Sequence, residues 1–231
     1  MTRDCTEENF LKDVSRHQMT IIRDDGVNRH VRFREPGTNI MHFDLITWPN
    51  HLCYTGDMGT YVFSRIEDMF QFFRPRADRE HMHLRNGQTL AINPQYWAEK
   101  LLAIDSRCGA EEFDPDEFRR VVRERRLEWI REARNDEELD KDARRALWEA
   151  IEEEVLSCAD EGEHEARRAA IEFSHRAGTH GRHFYFADFW EYGLRNYTHN
   201  FIWCCFALAW GIKQYDDARE ALSHDASLAL A

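Results

Sequence analysis

The sequence predicts an α+β protein: an N-terminal twisted antiparallel β-meander packed with helices, and a C-terminal helical half with a charged helical hairpin. Short apolar or alternating segments separated by tight turns fill most of residues 19–63, which is typical of antiparallel strands. After residue 114 the apolar residues recur at the spacing of amphipathic helices. The chain has 231 residues and is 42% hydrophobic, so it can bury a substantial core.

The N-terminal elements follow from a helix cap and a series of turns. Thr6 can cap a first helix over residues 7–17. Turn signals at 24–26 and 36–39 then separate alternating segments. The predicted strands are Met19–Ile22, Val31–Arg34, Met41–Leu45, Leu52–Thr55 and Thr60–Phe63.

Two short helices are predicted after the meander. Residues 64–67 match a capping box and open a helix that runs to Phe73. Asn93 and Pro94 open another helix, on which Leu101 continues the helical spacing. Residues 74–90 between them are rich in Pro, Arg, His and Gly and are predicted to form a mobile loop.

The C-terminal half is predicted to be helical. Helix starts and apolar stripes predict a helix from Asp114 to about residue 134, a second over about 137–158 and a third ending near His175. The last helix is apolar nearly all round, so we expect it to pack against the sheet. A composition change near residue 108 predicts a strand-rich region, 1–108, and a helical region, 109–231, packed together as one compact unit.

Net charge and cysteine spacing make some classes of function and cellular location less favourable than others. The formal net charge of −12 repels phosphates, so direct nucleic-acid binding is disfavoured. The six cysteines form no C-x-x-C pair, which favours the reduced thiols of a cytosolic protein. The N-terminus lacks an apolar signal segment. The longest uncharged run, about residues 196–212, is shorter than the roughly 20 apolar residues of a membrane span.

Residues 42–65 concentrate the side chains that carry chemistry, in the run HFDLITWPNHLCYTGDMGTYVFSR. One interpretation is a pair of β-hairpins in which glycines supply the positive φ of tight turns. The other is the ligand site of an enzyme that acts on a nucleotide or nucleic acid. A thiol–imidazole pair of Cys53 and His51 on one strand face is a further hypothesis. The ligand-binding candidates are Arg32, Arg34, Asp44, Tyr54 and Asp57.

Recognised cofactor and metal motifs do not occur. The GDMG turn lacks both the G-x-G-x-x-G spacing and a P-loop lysine. His175, His180 and His183 lie close in sequence and could hold zinc with Asp188, but they have no H-E-x-x-H spacing. We therefore expect neither metal nor cofactor, and assign no catalytic residue.

The charged helices offer a different kind of site. Residues 111–172 hold 22 Asp and Glu against 12 Lys and Arg, which accounts for most of the net charge. Such acids either form i,i+4 pairs on a solvated helix face or present a docking surface to a basic partner. The partner-binding candidates are Glu124, Glu128, Glu132, Glu152, Glu153 and Glu154.

Several stretches together resemble a family of small proteins encoded in temperate bacteriophages and prophages of Gram-negative bacteria. They are RHVRF, FDLITWPNHLCYTGDMGTYVFSRIEDMFQFFR, INPQYWAEKL and FIWCCFALAWGIKQYD. The resemblance spans most of the chain and is weakest in the charged middle and the tail. It implies an accessory protein that acts in the cytoplasm of the bacterial host.

Three functional hypotheses follow. The first is a non-enzymatic effector that binds a host protein and inhibits an antiviral defence system. The second is the enzyme that would use residues 42–65. The third is a homo-oligomeric assembly factor with Trp129 or Trp148 buried between subunits.

Overall fold

The computed structural model describes residues 5–75, 88–107, 109–135, 139–178 and 181–228. Most of the predicted loop at 74–90 lies outside them. The chain divides into two compact units, residues 1–111 with 197–231 and residues 112–196. The predicted α+β class is confirmed: a six-stranded antiparallel meander comes first, and a mostly helical region with small sheets follows.

The first unit contains six strands and four helices within its described part. Its strands are β1 (Gln18–Asp25), β2 (Asn28–Arg34), β3 (Phe43–Trp48), β4 (His51–Gly56), β5 (Gly59–Ser64) and β6 (Leu101–Ile104). Its helices are α1 (Glu7–Asp13), α2 (Met69–Phe73), α3 (Pro94–Ala98) and the final helix, which we label α7 (His199–Leu228).

The strands lie side by side in chain order, and each pairs antiparallel with the next. The three inner pairs keep a regular register. The register shifts only in the two outermost pairs, between Ile21 and Arg23 and between Val62 and Phe63. Bulges at the edges of a sheet hinder pairing with further strands, so the irregularities lie where this open sheet needs that protection.

One face of the sheet is the main core. Alternate residues of β2 to β5 are buried there with side chains from α1, α2 and α7. Trp203 of α7 meets Phe43 of β3 and Phe10 of α1, with ring centroids 5.7 and 5.0 Å apart. The prediction that the last helix packs against the sheet is therefore confirmed. The predicted division at residue 108 placed this helix with the second region, whereas its packing assigns it to the first unit.

Polar contacts tie α7 to neighbouring elements. Arg74, just after α2, donates two hydrogen bonds to Asp216, both at 2.7 Å. The Tyr215 hydroxyl donates to the Asp24 carboxylate of β1 at 2.8 Å. Two-pronged arginine–carboxylate pairs are among the stronger protein hydrogen bonds. These contacts fix the register of α7 on elements that are distant in sequence.

The second unit has helices α4 (Pro115–Asn135), α5 (Lys141–Glu154) and α6 (Glu163–Glu172), with 3₁₀ turns at Leu156–Asp160 and Phe189–Glu191. Its short strands are β8 (His175–Ala177), β9 (Arg182–Phe184) and the pair β7 (Glu111–Phe113) and β10 (Arg195–Tyr197). Trp129 is buried against Phe184 and Phe186. Arg126 of α4 lies 4.1 Å from the ring centre of Trp148 on α5.

Several predicted boundaries are wrong. The first helix ends at Asp13 and not near residue 17. The helix that begins at Pro94 ends at Ala98, and Leu101 starts a strand that pairs with β5. A β8–β9 hairpin stands where only a polar turn was predicted. None of the helices in the described ranges has both the length and the apolar character that a membrane crossing requires.

Candidate functional site

The second face of the sheet carries a cluster of three polar side chains. Asp44 lies opposite Arg32 in the β2–β3 register, and His30 lies two residues before Arg32 on the same strand face. Arg32 donates from Nε to Asp44 Oδ1 at 2.9 Å and from Nη2 to Oδ2 at 2.8 Å. His30 Nε2 is 2.7 Å from Oδ2. Both carboxylate oxygens of Asp44, a residue that is only 6% exposed, are thus occupied.

These neighbours set the charge of Asp44. Burial raises the pKa of this carboxyl, but the hydrogen bonds and positive charges of Arg32 and His30 outweigh burial and hold the pKa below its usual range. The same contact raises the pKa of the Arg32 guanidinium. At neutral pH the two groups therefore form a closed ion pair, which leaves no carboxylate oxygen of Asp44 unoccupied.

We predict that Asp44→Asn lowers the free energy of unfolding by about 2 kcal/mol at pH 7. Because the pKa of Asp44 is depressed in the folded state, its contribution is fully present above the unfolded pKa, near 4, and is lost as pH falls through the folded pKa. Urea unfolding at a series of pH values should therefore give a shallower acid-side loss for the variant.

The control is Asp217→Asn, which removes an exposed carboxylate of the same unit. At pH 7 it should change the free energy of unfolding by no more than about 0.5 kcal/mol. If Asp44→Asn had an equally small effect, or if its stability fell with acid as steeply as that of the unmodified protein, the Arg32–Asp44–His30 cluster would not contribute to stability as the geometry implies.

Asp57 has a structural role in the GDMG turn. Its Oδ2 accepts a hydrogen bond from the backbone N–H of Met41 at 3.0 Å. Its own N–H donates to the carbonyl of His42 at 3.0 Å. Met41 has a φ of 55°, a conformation that costs free energy in a residue other than glycine. The aspartate therefore fixes the chain where it enters β3.

The remaining ligand-binding candidates do not converge with Asp44. Tyr54 is fully buried on the core face and stacks on Phe43 at 5.6 Å between ring centroids. Arg34, the last residue of β2, is exposed, and the side chains that bond to Asp44 are Arg32 and His30. The structure thus brings together only Arg32 and Asp44 of the five. It adds His30, which the i,i+2 spacing on an alternating strand could have suggested.

The thiol–imidazole hypothesis gains no geometric support. His51 stacks on Trp48 with ring centroids 5.0 Å apart, and its Nδ1 lies 2.9 Å from the carbonyl oxygen of Pro49. Burial, and then the negative charge of Asp44, raise the pKa of the Cys53 thiol. A nucleophilic cysteine needs the opposite shift.

The histidine cluster likewise gains no support as a metal site. His183 bonds to the hydroxyl of Ser174 at 2.8 Å, and His180 lies outside the described residues. Within the described ranges, no three His, Cys, Asp or Glu side chains are grouped as a metal site would require.

The acidic candidates of the second unit fall into two classes. Those on α4 are neutralised by arginines: Glu124 by Arg120 at 2.7 Å, Glu128 by Arg125 at 2.8 Å and Glu132 by Arg182 at 2.9 Å. Exposed pairs of this kind contribute little to stability, because solvent screens them. Their net effect is to cancel charge along α4.

The acids at the end of α5 and in the turn after it are paired less completely than those of α4. Residues 146–166 contain eight Asp and Glu and no Lys or Arg. Four of the eight acquire cationic partners, namely Glu149, Asp160, Glu163 and Glu165. The other four, which we call the acidic patch, are exposed and form no ion pair within the described residues. They are Glu152, Glu153, Glu154 and Glu161.

Helix polarity makes this arrangement unfavourable. Three acids of the patch occupy the last turn of α5, where no basic residue is present. The C-terminal end of a helix carries partial negative charge, and each additional anion there costs about 0.3–1 kcal/mol. Burial lowers the pKa of the Arg126 guanidinium more than the charge of Glu152 raises it, and Arg126 and Glu152 form no ion pair within the described residues. The patch therefore keeps most of its negative potential.

Models of protein families, curated proteins and solved structures were all compared with the chain, and no match was found in any of the three.

Proposed function

We propose that the protein is a non-enzymatic phage accessory protein of the bacterial cytoplasm. It binds a basic surface on a host protein and thereby inhibits an antiviral defence system. The acidic patch makes the contact, presented by a charged helical hairpin of α4 and α5. The observation that carries this proposal is the contrast between the acids of α4, which are paired, and those at the end of α5, which have no ionic partner among the described residues.

The physical support for docking is the position of the acidic patch, whose charges are unfavourable for folding. Four exposed carboxylates close in sequence repel one another, and three of them oppose the helix dipole. A basic partner would relieve both effects on binding. Opposite charges also speed the encounter of two proteins. A docking role therefore accounts for charges that folding alone disfavours.

The enzyme hypothesis has less support. Arg32 and Asp44 satisfy each other, Tyr54 lies on the other face of the sheet, and Asp57 holds a turn. Trp129 is not available as a contact between subunits, because its side chain is already buried within the second unit.

We predict that the tagged protein retains one stoichiometric host protein from lysate, with or without nuclease. Neutralising the acidic patch should reduce this capture at least about tenfold, because the charge that attracts the partner is removed. The patch variant carries four substitutions: Glu152→Gln, Glu153→Gln, Glu154→Gln and Glu161→Gln. Mass spectrometry with isotope-labelled standards measures the captured amount.

The matched control removes the same number of charges from acids that are already paired with arginines. Its substitutions are Glu117→Gln, Glu124→Gln, Glu165→Gln and Glu172→Gln. This variant should retain the partner. Equal capture by both variants, or capture only of nuclease-sensitive material, would contradict the docking proposal.

A further inference from the structure

An exposed tryptophan stands on a short turn of the second unit. Trp190 is 63% exposed, whereas Phe189 beside it is fully buried. Phe189 packs on Phe118 and Phe186, with ring centroids 5.8 and 5.4 Å apart. Of these two residues, only Phe189 belongs to the hydrophobic core of the second unit, and Trp190 does not.

The backbone of this turn is held by one arginine, in addition to its own hydrogen bonds from Glu191 N–H to Asp188 and from Tyr192 N–H to Phe189. Arg167 of α6 donates to the carbonyl oxygens of Phe189 at 3.3 Å, Trp190 at 3.5 Å and Tyr192 at 3.0 Å. Its Nε also donates to Glu163 at 3.0 Å, which fixes the guanidinium. Hydrogen bonds from a charged donor are stronger than neutral ones. The backbone at Trp190 is thus fixed, while its side chain stays in solvent.

The residue that opens the turn is strained. Asp188 has φ 52° and ψ 33°, a left-handed conformation that costs a residue other than glycine roughly 1–3 kcal/mol. Because the backbone of the turn is already fixed, binding through Trp190 orders only the two torsions of its side chain, which keeps the entropy cost low. Tryptophan is also among the residues that most often dominate binding energy at protein interfaces.

Uncompensated negative charge flanks the indole on both sides. Asp188 and Glu191 are exposed and form no ion pair in the part of the chain that the structure describes. Arg167, which donates to the backbone of this turn, is committed to Glu163 and to backbone carbonyls. Ile171, one helical turn beyond Arg167, is also exposed. The surface therefore combines a narrow apolar centre with an acidic margin.

We propose that Trp190 anchors the host partner by packing on the apolar stripe of a basic amphipathic helix, whose lysines and arginines reach Asp188 and Glu191. Apolar residues flanked by cations are the complement of this surface. The inference rests on the proposed function and names the structural class of that partner. Trp190 then supplies contact energy, and the acidic patch supplies long-range attraction.

The test uses a synthetic probe, so that it does not depend on identifying the host protein. The probe is a peptide of about 18 residues, roughly five helical turns, with leucines at helical spacing and lysines elsewhere. Isothermal titration with the full chain should show saturable binding. Trp190→Ala should weaken it about tenfold. The same composition in scrambled order should bind far more weakly, because it has no apolar stripe.

The matched control is Tyr185→Ala, since Tyr185 is a similarly exposed aromatic of the same unit. It should bind the probe within about twofold of the unmodified protein. Absence of saturable binding, equal loss in the two variants or equal binding of the scrambled peptide would each overturn the anchor. The anchor would also be wrong if Trp190→Ala bound normally. Failure of the docking proposal would instead appear as unchanged host capture by the patch variant.

Discussion

Gly56→Ala is expected to destabilise the protein by about 3 kcal/mol or more. A Cβ at this position would lie 2.2 Å from the carbonyl oxygen of His42 and 2.7 Å from the Cα of Phe43. Both are backbone atoms of the segment that enters β3, and Gly56 is the register partner of Phe43. Because these are backbone atoms that no side-chain movement can relieve, β3 and β4 would have to separate at the open end of their hairpin, where β4 leads into the turn to β5.

Urea unfolding followed by far-ultraviolet circular dichroism measures this effect. Gly193→Ala is the matched control, because a Cβ there meets no atom within 4 Å. It should change the free energy of unfolding by no more than about 0.5 kcal/mol. Equal midpoints for the two variants would mean that the close approach at Gly56 does not constrain the fold.

Trp203→Ala is expected to cost about 4 kcal/mol, the range for deleting a large aromatic side chain from a core. Trp203 is 1% exposed and lies between the sheet and α1. The substitution also removes the hydrogen bond from Nε1 to Asp13 at 3.2 Å. Since α7 forms part of the first core, the loss should reach the sheet as well as the helix.

Hydrogen exchange resolved by peptide tests this directly. Protection of β3 and β4 should fall together with that of α7. Trp48→Ala, at a partly exposed position of the same sheet, should leave the protection of α7 unchanged. If Trp203→Ala reduced protection in α7 alone, the final helix would be an appendage and not part of the core.

Local signals predicted the meander well. The predicted strand Leu52–Thr55 lies within β4, and Thr60–Phe63 lies within β5. The glycines of the intervening turn indicated where one strand ends and the next begins, and the alternation of apolar residues indicated the two-residue period of a strand. In a meander each strand pairs with its neighbour in sequence, so short-range information is nearly sufficient.

Long-range pairing explains what the sequence could not predict. Leu101 follows a well-capped helix at helical spacing, yet it lies in β6, because β5 offers a free edge to pair with. The Asp44 cluster depends on the β2–β3 register, which no local pattern specifies. Likewise, Asp160 is paired with Arg119 only by tertiary packing. Sequence alone could therefore list the acids but could not tell which stay unpaired.

Association kinetics test most directly whether the acidic patch docks a basic host protein. The host protein that the tagged chain retains would be purified, and its association rate measured at about 50 and about 300 mM salt, which changes electrostatic screening several-fold. The association rate of the unmodified protein should fall about tenfold between the two salt concentrations. The patch variant should associate slowly and nearly independently of salt. Coincident rates for the two proteins at both salt concentrations would contradict docking through the patch.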